Sequence, residues 1–204
     1  MKVSSSEKHV QLLFKSRYDI VLNKIDEHGG KGGRTSDFEF VMDGQRVFVC
    51  ELKDFLDVPF TEEYGFTVVN HPNGTAVASK KHNATNRISD AIEDAYEQLS
   101  RYPEPKILTI LNFSRFLGIE DLVETYQGYR VLGVENGVTY LDTYARRASE
   151  GKIKNIKKAI DLYIWIDSSS KDSDFSKDEM FLKTATEIGK RLKKEFFSKP
   201  STVA

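Results

Sequence analysis

Three charged residues occur in a part of the chain where an apolar β-hairpin is predicted. Asp37 begins one apolar run, and Glu51 and Lys53 end the next, beyond the turn-forming pair Asp43-Gly44. Residues two apart on a strand point to the same face, so Glu51 and Lys53 lie side by side. An ionised side chain in such apolar surroundings needs a partner or a metal ion. A carboxylate beside an ammonium group is suited to hold a divalent cation with a water molecule next to it.

Asp37 followed by Glu51-Leu52-Lys53 at the end of an apolar strand resembles the signature of the PD-(D/E)XK nuclease superfamily, which has the restriction-endonuclease-like fold. The resemblance implies that Asp37 and Glu51, together with the backbone carbonyl of Cys50, bind Mg²⁺, for which Mn²⁺ would substitute. It also implies that Lys53 orients or polarises the attacking water. Ser36 stands where the family often has proline, a position that does no chemistry.

The Glu-x-Lys triplet alone does not identify a nuclease, because it also occurs at Glu104-Pro105-Lys106 and Glu150-Gly151-Lys152. Only the copy that begins at Glu51 lies in a strand-like run. The alternative interpretation of that copy is a surface hairpin whose charge pair contributes roughly 0 to 1 kcal/mol to stability.

The turn between the two runs leads to a geometric prediction. A two-residue type I′ turn at Asp43-Gly44 would place Asp37 opposite Cys50, on the face away from Glu51. If both carboxylates bind one cation, either the loop has an odd length or the strand bulges near Asp37. We predict one of these irregularities. A regular two-residue hairpin would exclude the shared metal site.

A first helix is predicted from the serines at positions 4–6 to about Glu27, before a glycine-rich stretch at 29–33. Its apolar residues recur at helical spacing, which predicts one buried face. Glu7 lies on that face, about thirty residues before Asp37. Several families of the superfamily carry a first-helix glutamate at this distance, which implies a metal-site role for Glu7. The alternative is a first-turn acid stabilised by the helix dipole.

A second helix is predicted over about 85–102, where prolines at 103 and 105 end it. Gln98 lies beside its buried stripe, next to Leu99. Many families of the superfamily place a polar residue, often glutamine in such a context, facing the active site at this point. The resemblance therefore adds Gln98 to the catalytic group, with boundary polarity as the alternative.

A basic cluster around the start of this helix is the best local candidate for contact with phosphates. Its members are Lys80, Lys81, His82 and Arg87. His82 has no partner at a metal-ligand spacing, so we do not interpret it as a ligand.

The predicted order of helix, hairpin, helix and apolar strand (106–112) is similar to the αβββαβ core of the family, if one short early strand lies in or near the glycine-rich stretch. The resemblance covers about residues 7–112. We therefore expect an α/β fold with a restriction-endonuclease-like core and a mixed central sheet flanked by helices. We expect one domain over 1–204, with a C-terminal extension over about 113–204.

Further elements are predicted outside this core. An extra hairpin at about 65–79 is a candidate for substrate selection or a solvated flap. A short helix is predicted at 119–126, and strands at 129–134, 138–140 and 160–166. A last helix over about 177–197 would turn Phe181, Ile188 and Leu192 inward. Its basic outer side is either a solvated face or a contact for a duplex.

Composition restricts the class of protein. A chain of 204 residues with 39% hydrophobic and 30% charged residues is typical of one soluble globular domain. The formal net charge of -1 means that contact with nucleic acid must come from a local basic patch. One cysteine excludes an internal disulfide and fits a reducing compartment. No run is typical of a signal peptide or a membrane span, so we expect a cytoplasmic protein without a membrane partner.

These observations and the resemblance lead to one expectation of function. We expect a Mg²⁺-dependent nuclease that hydrolyses phosphodiester bonds, an endonuclease rather than an exonuclease, with DNA ranked ahead of RNA. A homodimer would supply two sites for double-strand cuts. The alternatives are a catalytically inactive nucleic-acid-binding or assembly module of the same fold, and an unrelated α/β fold whose hairpin mimics the motif.

Overall fold

The computed structural model describes residues 4–25, 36–56, 67–70, 76–79, 84–114, 117–135, 138–168 and 177–198. Within these ranges the α-helices are α1 (Ser5–Tyr18), α2 (Ala84–Leu99), α3 (Ile119–Gln127) and α4 (Glu187–Phe196). The strands are β1 (Asn23–Lys24), β2 (Phe38–Met42), β3 (Gln45–Phe55), β4 (Thr67–Asn70), β5 (Ala76–Ser79), β6 (Lys106–Asn112), β7 (Arg130–Glu135), β8 (Val138–Asp142), β9 (Leu162–Asp167) and β10 (Glu179–Thr184). A π-helical segment covers Ala148–Lys152.

A six-stranded sheet with the order β1-β2-β3-β6-β9-β10 forms the centre of the fold. Strands β3, β6 and β9 are parallel, whereas β1, β2 and β10 pair antiparallel with their neighbours. Helices α1 and α4 pack on one face of this sheet, and α2 and α3 pack on the other. The predicted α/β class with a mixed sheet flanked by helices is therefore confirmed.

The central strands are buried on both faces. The residues of β6 from Ile107 to Asn112 and those of β9 from Leu162 to Ile166 are all buried. Alternate residues supply the two cores, since Ile107 faces α1 whereas Leu108 faces α2. Continuous apolar runs of this kind are typical of parallel strands covered by helices on both sides.

The first helix is shorter than predicted. A capping box formed by Ser4 and Glu7 begins it, and Asp19, in the left-handed conformation with φ 58°, ends it. Beyond that point burial alternates, because Ile20 and Leu22 are buried whereas Val21 is 51% exposed. This period of two belongs to an extended chain and leads into β1. The predicted helix to about Glu27 was therefore wrong from Asp19 to Ile25, and Glu27 lies outside the described residues. The short early strand, β1, lies just before the glycine-rich stretch.

The predicted helix over 177–197 was also wrong in its first half. Residues 179–184 form β10, which pairs antiparallel with β9, and only then does α4 begin. Thr186 caps α4 by accepting a hydrogen bond from Gly189 N–H (3.1 Å), and its hydroxyl donates to Asp161 (2.6 Å). Phe181 is consequently 37% exposed and Ile188 is 42% exposed, so the prediction that both face inward was wrong, whereas Leu192 is buried as predicted.

Two hairpins outside the main sheet lie where the sequence predicts strands. β4 pairs with β5 between β3 and α2, and β7 pairs with β8 after α3. Among the described helices, none is long and apolar enough to cross a bilayer.

Candidate active site

The β2–β3 hairpin contains a tight turn followed by a β-bulge. Asp43 (φ 52°) and Gly44 (φ 75°) form the turn, with Met42 opposite Gln45, as a type I′ turn requires. The register then shifts, because Val41 pairs with Arg46 whereas Phe40 pairs with Phe48. Val47 is thus the extra residue on β3. The hairpin is irregular, but both predicted forms of the irregularity were wrong, because the turn has two residues and the bulge lies at Val47 of β3 and not near Asp37.

This bulge brings Asp37 to Glu51. Phe38 lies opposite Cys50, so the next position outward in the register places Asp37 across from Glu51. The backbone N–H of Asp37 donates to Glu51 Oε2 (3.2 Å), and the N–H of Leu52 donates to Asp37 Oδ2 (2.9 Å). In a regular hairpin with the same turn, Val47 would pair with Phe40, and Asp37 would then lie opposite Cys50 and face the other side of the sheet.

Glu51 and Lys53 form a close ion pair on the face of β3 that α2 covers. Lys53 Nζ lies 3.0 Å from Glu51 Oε1, and Glu51 is only 2% exposed. Val49 and Phe55 belong to the core on this face, whereas Cys50 and Leu52 pack toward α1. The faces predicted from the alternation of β3 are therefore confirmed.

The electrostatics of the site favour a bound cation. Burial, followed by the negative charge of Asp37, raises the pKa of Glu51 to about 7, against the opposing effect of Lys53. Burial also raises the pKa of Asp37, and the charge of Glu7 adds to this against the hydrogen bond from Leu52 N–H. Two carboxylates that repel each other at low solvent exposure gain from a cation placed between them.

Few side chains of the site are placed to bind a metal ion. Among the described residues, no group of three or more His, Cys, Asp or Glu side chains is placed to hold a metal ion together. Two carboxylates fit Mg²⁺, which is commonly bound through one or two carboxylates and keeps several of its waters. They would not form a closed cage of the kind that structural zinc requires.

Glu7 is engaged by its own neighbours. Its Oε2 accepts the N–H of Ser4 (2.7 Å) and its Oε1 pairs with Lys24 Nζ (2.6 Å). Burial raises the pKa of Glu7, but the hydrogen bonds from Lys24 and Ser4 outweigh this and lower it overall. The first-turn interpretation of Glu7 thus has a clear structural basis. A role of Glu7 in the metal site stays a prediction. The charge of Glu7 is close enough to Asp37 to raise the pKa of that carboxyl group.

Lys24 is a site residue that the sequence did not suggest. It lies opposite Phe38 in the β1–β2 pair, and the next residue, Ile25, donates its N–H to the carbonyl of Asp37 (3.1 Å). Lys24 lowers the pKa of both Glu7 and Asp37. A strand of two residues has no periodicity that could reveal it in a sequence.

Within the described residues, the side chain of Gln98 makes no hydrogen bond to Asp37 or Glu51. Gln98 is buried in α2, and its amide donates to the carbonyl of Asp94 (3.4 Å), its one side-chain hydrogen bond within the described residues. The carbonyl of Cys50 accepts the hydroxyl of Ser36 (2.9 Å). Burial raises the pKa of the Cys50 thiol to about 12, as expected of a packing residue. The roles of Gln98 and of the Cys50 carbonyl stay predictions.

A cleft of about 330 Å³ opens beside Lys53, between the end of β3 and α2. Arg87 lines it with its guanidinium over the ring of Phe55, 5.2 Å from the centroid, and Asp54 and Asp90 line it too. Of the basic residues predicted to meet phosphates, Arg87 therefore lies next to Lys53. Lys80, Lys81 and His82 lie outside the described residues.

Comparisons of the chain with family models, with curated proteins and with solved structures found no match.

Proposed function

We propose that the protein is a metal-dependent nuclease of the PD-(D/E)XK type that hydrolyses phosphodiester bonds of DNA. The observation that carries this proposal is the bulge at Val47, which places Asp37 across from a buried Glu51 already paired with Lys53. A buried carboxylate, Glu51, beside a partly buried one, Asp37, destabilises a fold unless positive charge compensates them. A function that uses the cation explains why such a pair lies at the end of a core strand.

The order of the elements also supports the proposal. Read along the chain, α1, β1, β2, β3, α2 and β6 give the order αβββαβ, with the β4–β5 hairpin inserted before α2. The restriction-endonuclease-like core has this order, and its two acidic positions fall on the second and third strands. Here Asp37 immediately precedes β2, and Glu51 lies within β3.

In this proposal Asp37 and Glu51 hold Mg²⁺ or Mn²⁺, which when bound supplies a Lewis acid that stabilises charge on the phosphoryl oxygens and lowers the pKa of water. Lys53, anchored 3.0 Å from Glu51, places its positive charge beside the attacking water. There it favours the deprotonated form of the water and stabilises the charge that develops on phosphate. Arg87, in the adjoining cleft, would bind a phosphate of the strand.

The test is cleavage of supercoiled plasmid and of end-labelled oligonucleotides in Mg²⁺, in Mn²⁺ and in EDTA. We expect metal-dependent cleavage that falls about 10²- to 10⁴-fold in Glu51→Gln and in Lys53→Met. Matched controls are Glu39→Gln, which removes a carboxylate paired with Arg46 on the same hairpin, and Lys15→Met on the surface of α1. Both controls should cleave like the wild type.

Two other results would redirect the interpretation. Equal cleavage by all variants, or cleavage in EDTA, would indicate a contaminant and remove the proposal. Tight nucleic-acid binding without cleavage in any metal would indicate the non-catalytic module instead.

A further inference from the structure

The β7–β8 hairpin carries more than half of the exposed large apolar side chains in the described part of the chain. Eight of the fourteen lie between positions 129 and 144, with exposed fractions from 39 to 68%. Two are tyrosines that flank the strands, and six belong to the strands themselves: Val131, Leu132, Val134, Val138, Tyr140 and Leu141. Exposed apolar residues are ordinary when they are scattered singly, whereas a contiguous group marks a surface that another molecule covers.

Neither face of this hairpin is covered by the rest of the chain. Among the described strands, β7 and β8 pair only with each other. Leu141 is 47% exposed on one face, and its neighbour Tyr140 is 49% exposed on the other. A two-stranded hairpin is at best marginally stable in water and needs a further surface to pack against.

A bulge in β7 gives the hairpin one face without charge. Val131 pairs with Leu141 and Val134 pairs with Thr139, while Leu132 is the extra residue between them. In a regular strand, two residues three positions apart would point to opposite faces. The bulge places Val131 and Val134 on the same face as Thr139 and Leu141. We call these four residues the uncharged face.

The charges of the hairpin base lie on the other face. Arg130 is paired with Asp142 in the register, one position from the pair that belongs to the uncharged face. Arg130 is the only cation of the two strands, and its guanidinium also forms an ion pair with Glu124 of α3 (3.1 Å). Nucleic acid is bound through Lys and Arg, and lipid surfaces favour apolar residues combined with such cations. The uncharged face fits the apolar surface of a protein better than either.

The exposed apolar area is as large as one side of a stable dimer interface. Eight large side chains that are each about half exposed offer on the order of 800 Å², which exceeds the roughly 300 to 600 Å² of the largest patch on a typical monomer. A standard interface buries about 800 Å² per partner. If two copies covered three quarters of this surface, they would bury about 1,200 Å² in total, where specific interfaces begin.

We propose that the hairpin is a dimerisation arm, and that its uncharged face packs against the same face of a second copy. A surface without charge meets itself without repulsion, which a two-fold symmetric interface requires because the same patch serves both partners. The formal net charge of -1 per chain does not keep two copies apart either. This inference does not depend on the proposed nuclease function.

The first test is sedimentation velocity of the whole protein from about 0.1 to 100 μM, because interfaces of this size span micromolar to picomolar affinities. We expect a dimer in the wild type. Val134→Lys puts a charge into the interface twice, once in each copy, and should weaken the dimer at least about a hundredfold. Val134 is 68% exposed, so the emission of the buried Trp165 should stay native. The matched control is Val21→Lys, at a valine that is 51% exposed outside the hairpin, and it should dimerise like the wild type.

The second test locates the interface with a short bis-maleimide cross-linker. The only natural cysteine, Cys50, is buried and burial raises the pKa of its thiol to about 12, so it does not react. Thr139→Cys places one reactive thiol on the uncharged face and should give a covalent dimer, which the added Val134→Lys should abolish. Lys15→Cys, on the exposed surface of α1, is the control and should stay monomeric.

Four results would overturn the proposal. They are a wild type that stays monomeric up to about 100 μM, a Val134→Lys protein that dimerises like the wild type, the same loss of dimer in Val21→Lys, and equal cross-linking of Lys15→Cys and Thr139→Cys. A monomer that co-sediments with vesicles of phosphatidylcholine and phosphatidylglycerol, and loses this in Val134→Lys, would assign the hairpin to a membrane instead. A dimer that depends on Val134 in a protein without nuclease activity would keep this inference and remove only the proposed function.

Discussion

Replacing Glu51 by glutamine is expected to make the metal-free protein more stable at alkaline pH. In the folded state, burial and the charge of Asp37 raise the pKa of Glu51 to about 7 from an ordinary value of 4.5. A carboxyl group with a raised pKa favours the fold while it is protonated. That stability is present below about pH 4.5 and is lost as the pH rises through 7. Glutamine keeps the shape of the protonated acid but cannot ionise.

The change in the free energy of unfolding follows from the shift in the pKa of Glu51. One pKa unit corresponds to about 1.4 kcal/mol, so ionised Glu51 destabilises the fold by up to about 3 kcal/mol at pH 8. Glu51→Gln should therefore raise the free energy of unfolding by about 1 to 3 kcal/mol at pH 8 and change it little at pH 4.5. Saturating Mn²⁺ should stabilise the wild type by about 2.7 kcal/mol at one hundred times its Kd, and the variant far less.

Urea unfolding followed by the fluorescence of Trp165 provides the assay, because this single tryptophan is fully buried. It should be run in EDTA at pH 4.5, 6 and 8, with Glu39→Gln as the control. That control removes a partly exposed ion pair, and its free energy of unfolding is expected to fall by no more than about 1 kcal/mol at pH 4.5 and at pH 8. A Glu51→Gln protein that is less stable than the wild type by the same amount at pH 4.5 and pH 8 would refute the reasoning.

Three further changes test the hairpin and the packing of α4, and Gly151→Ala in the π-helical segment serves as their control. Deletion of Val47 should give a regular ladder in which Phe40 still pairs with Phe48 and Asp37 still lies across from Glu51, so Mn²⁺ binding in calorimetry should be kept while the Trp165 emission stays native; loss of binding with native emission would contradict this register. Gly44→Ala should destabilise the protein by about 1 to 2 kcal/mol in urea, because alanine is strained at φ 75° although nothing lies within 4 Å of the new Cβ. Gly189→Ala should cost more than about 2 kcal/mol, since its Cβ would lie 1.9 Å from the carbonyl oxygen of Asp161, and a neutral result would mean that α4 does not pack there. Gly151→Ala, with open space around it, should be neutral or slightly stabilising in the same assay.

The sequence was sufficient to predict the hairpin and most of the central sheet. The Asp43-Gly44 pair specifies its turn because both residues take positive φ, and the apolar run at 106–112 matches β6 at both ends. The need for an irregularity followed from the requirement that Asp37 and Glu51 share a face. The position of the bulge could not be predicted, because valine is common in strands and nothing in the residue type of Val47 marks it as the extra residue.

Tertiary contacts determine the secondary structure and the site residues that the sequence pattern alone did not predict. The spacing of Phe181, Ile188 and Leu192 is helical, yet pairing with β9 makes residues 179–184 a strand. Thr186 then caps α4 and bonds to Asp161, a buried residue whose Oδ2 also accepts the N–H of Lys106 (2.9 Å). Lys24 was missed for a similar reason, since it reaches Glu7 and Asp37 only through the packing of elements distant in sequence.

The central claim is that Asp37 and Glu51 share one cation. A crystal structure of the protein with Mn²⁺, using the anomalous signal of manganese, measures this directly. We expect one strong peak between the two carboxylates, with an oxygen from each at about 2.0 to 2.3 Å, and no such peak in Glu51→Gln. Empty space between the carboxylates at saturating Mn²⁺, or a peak that persists in the variant, would contradict the account.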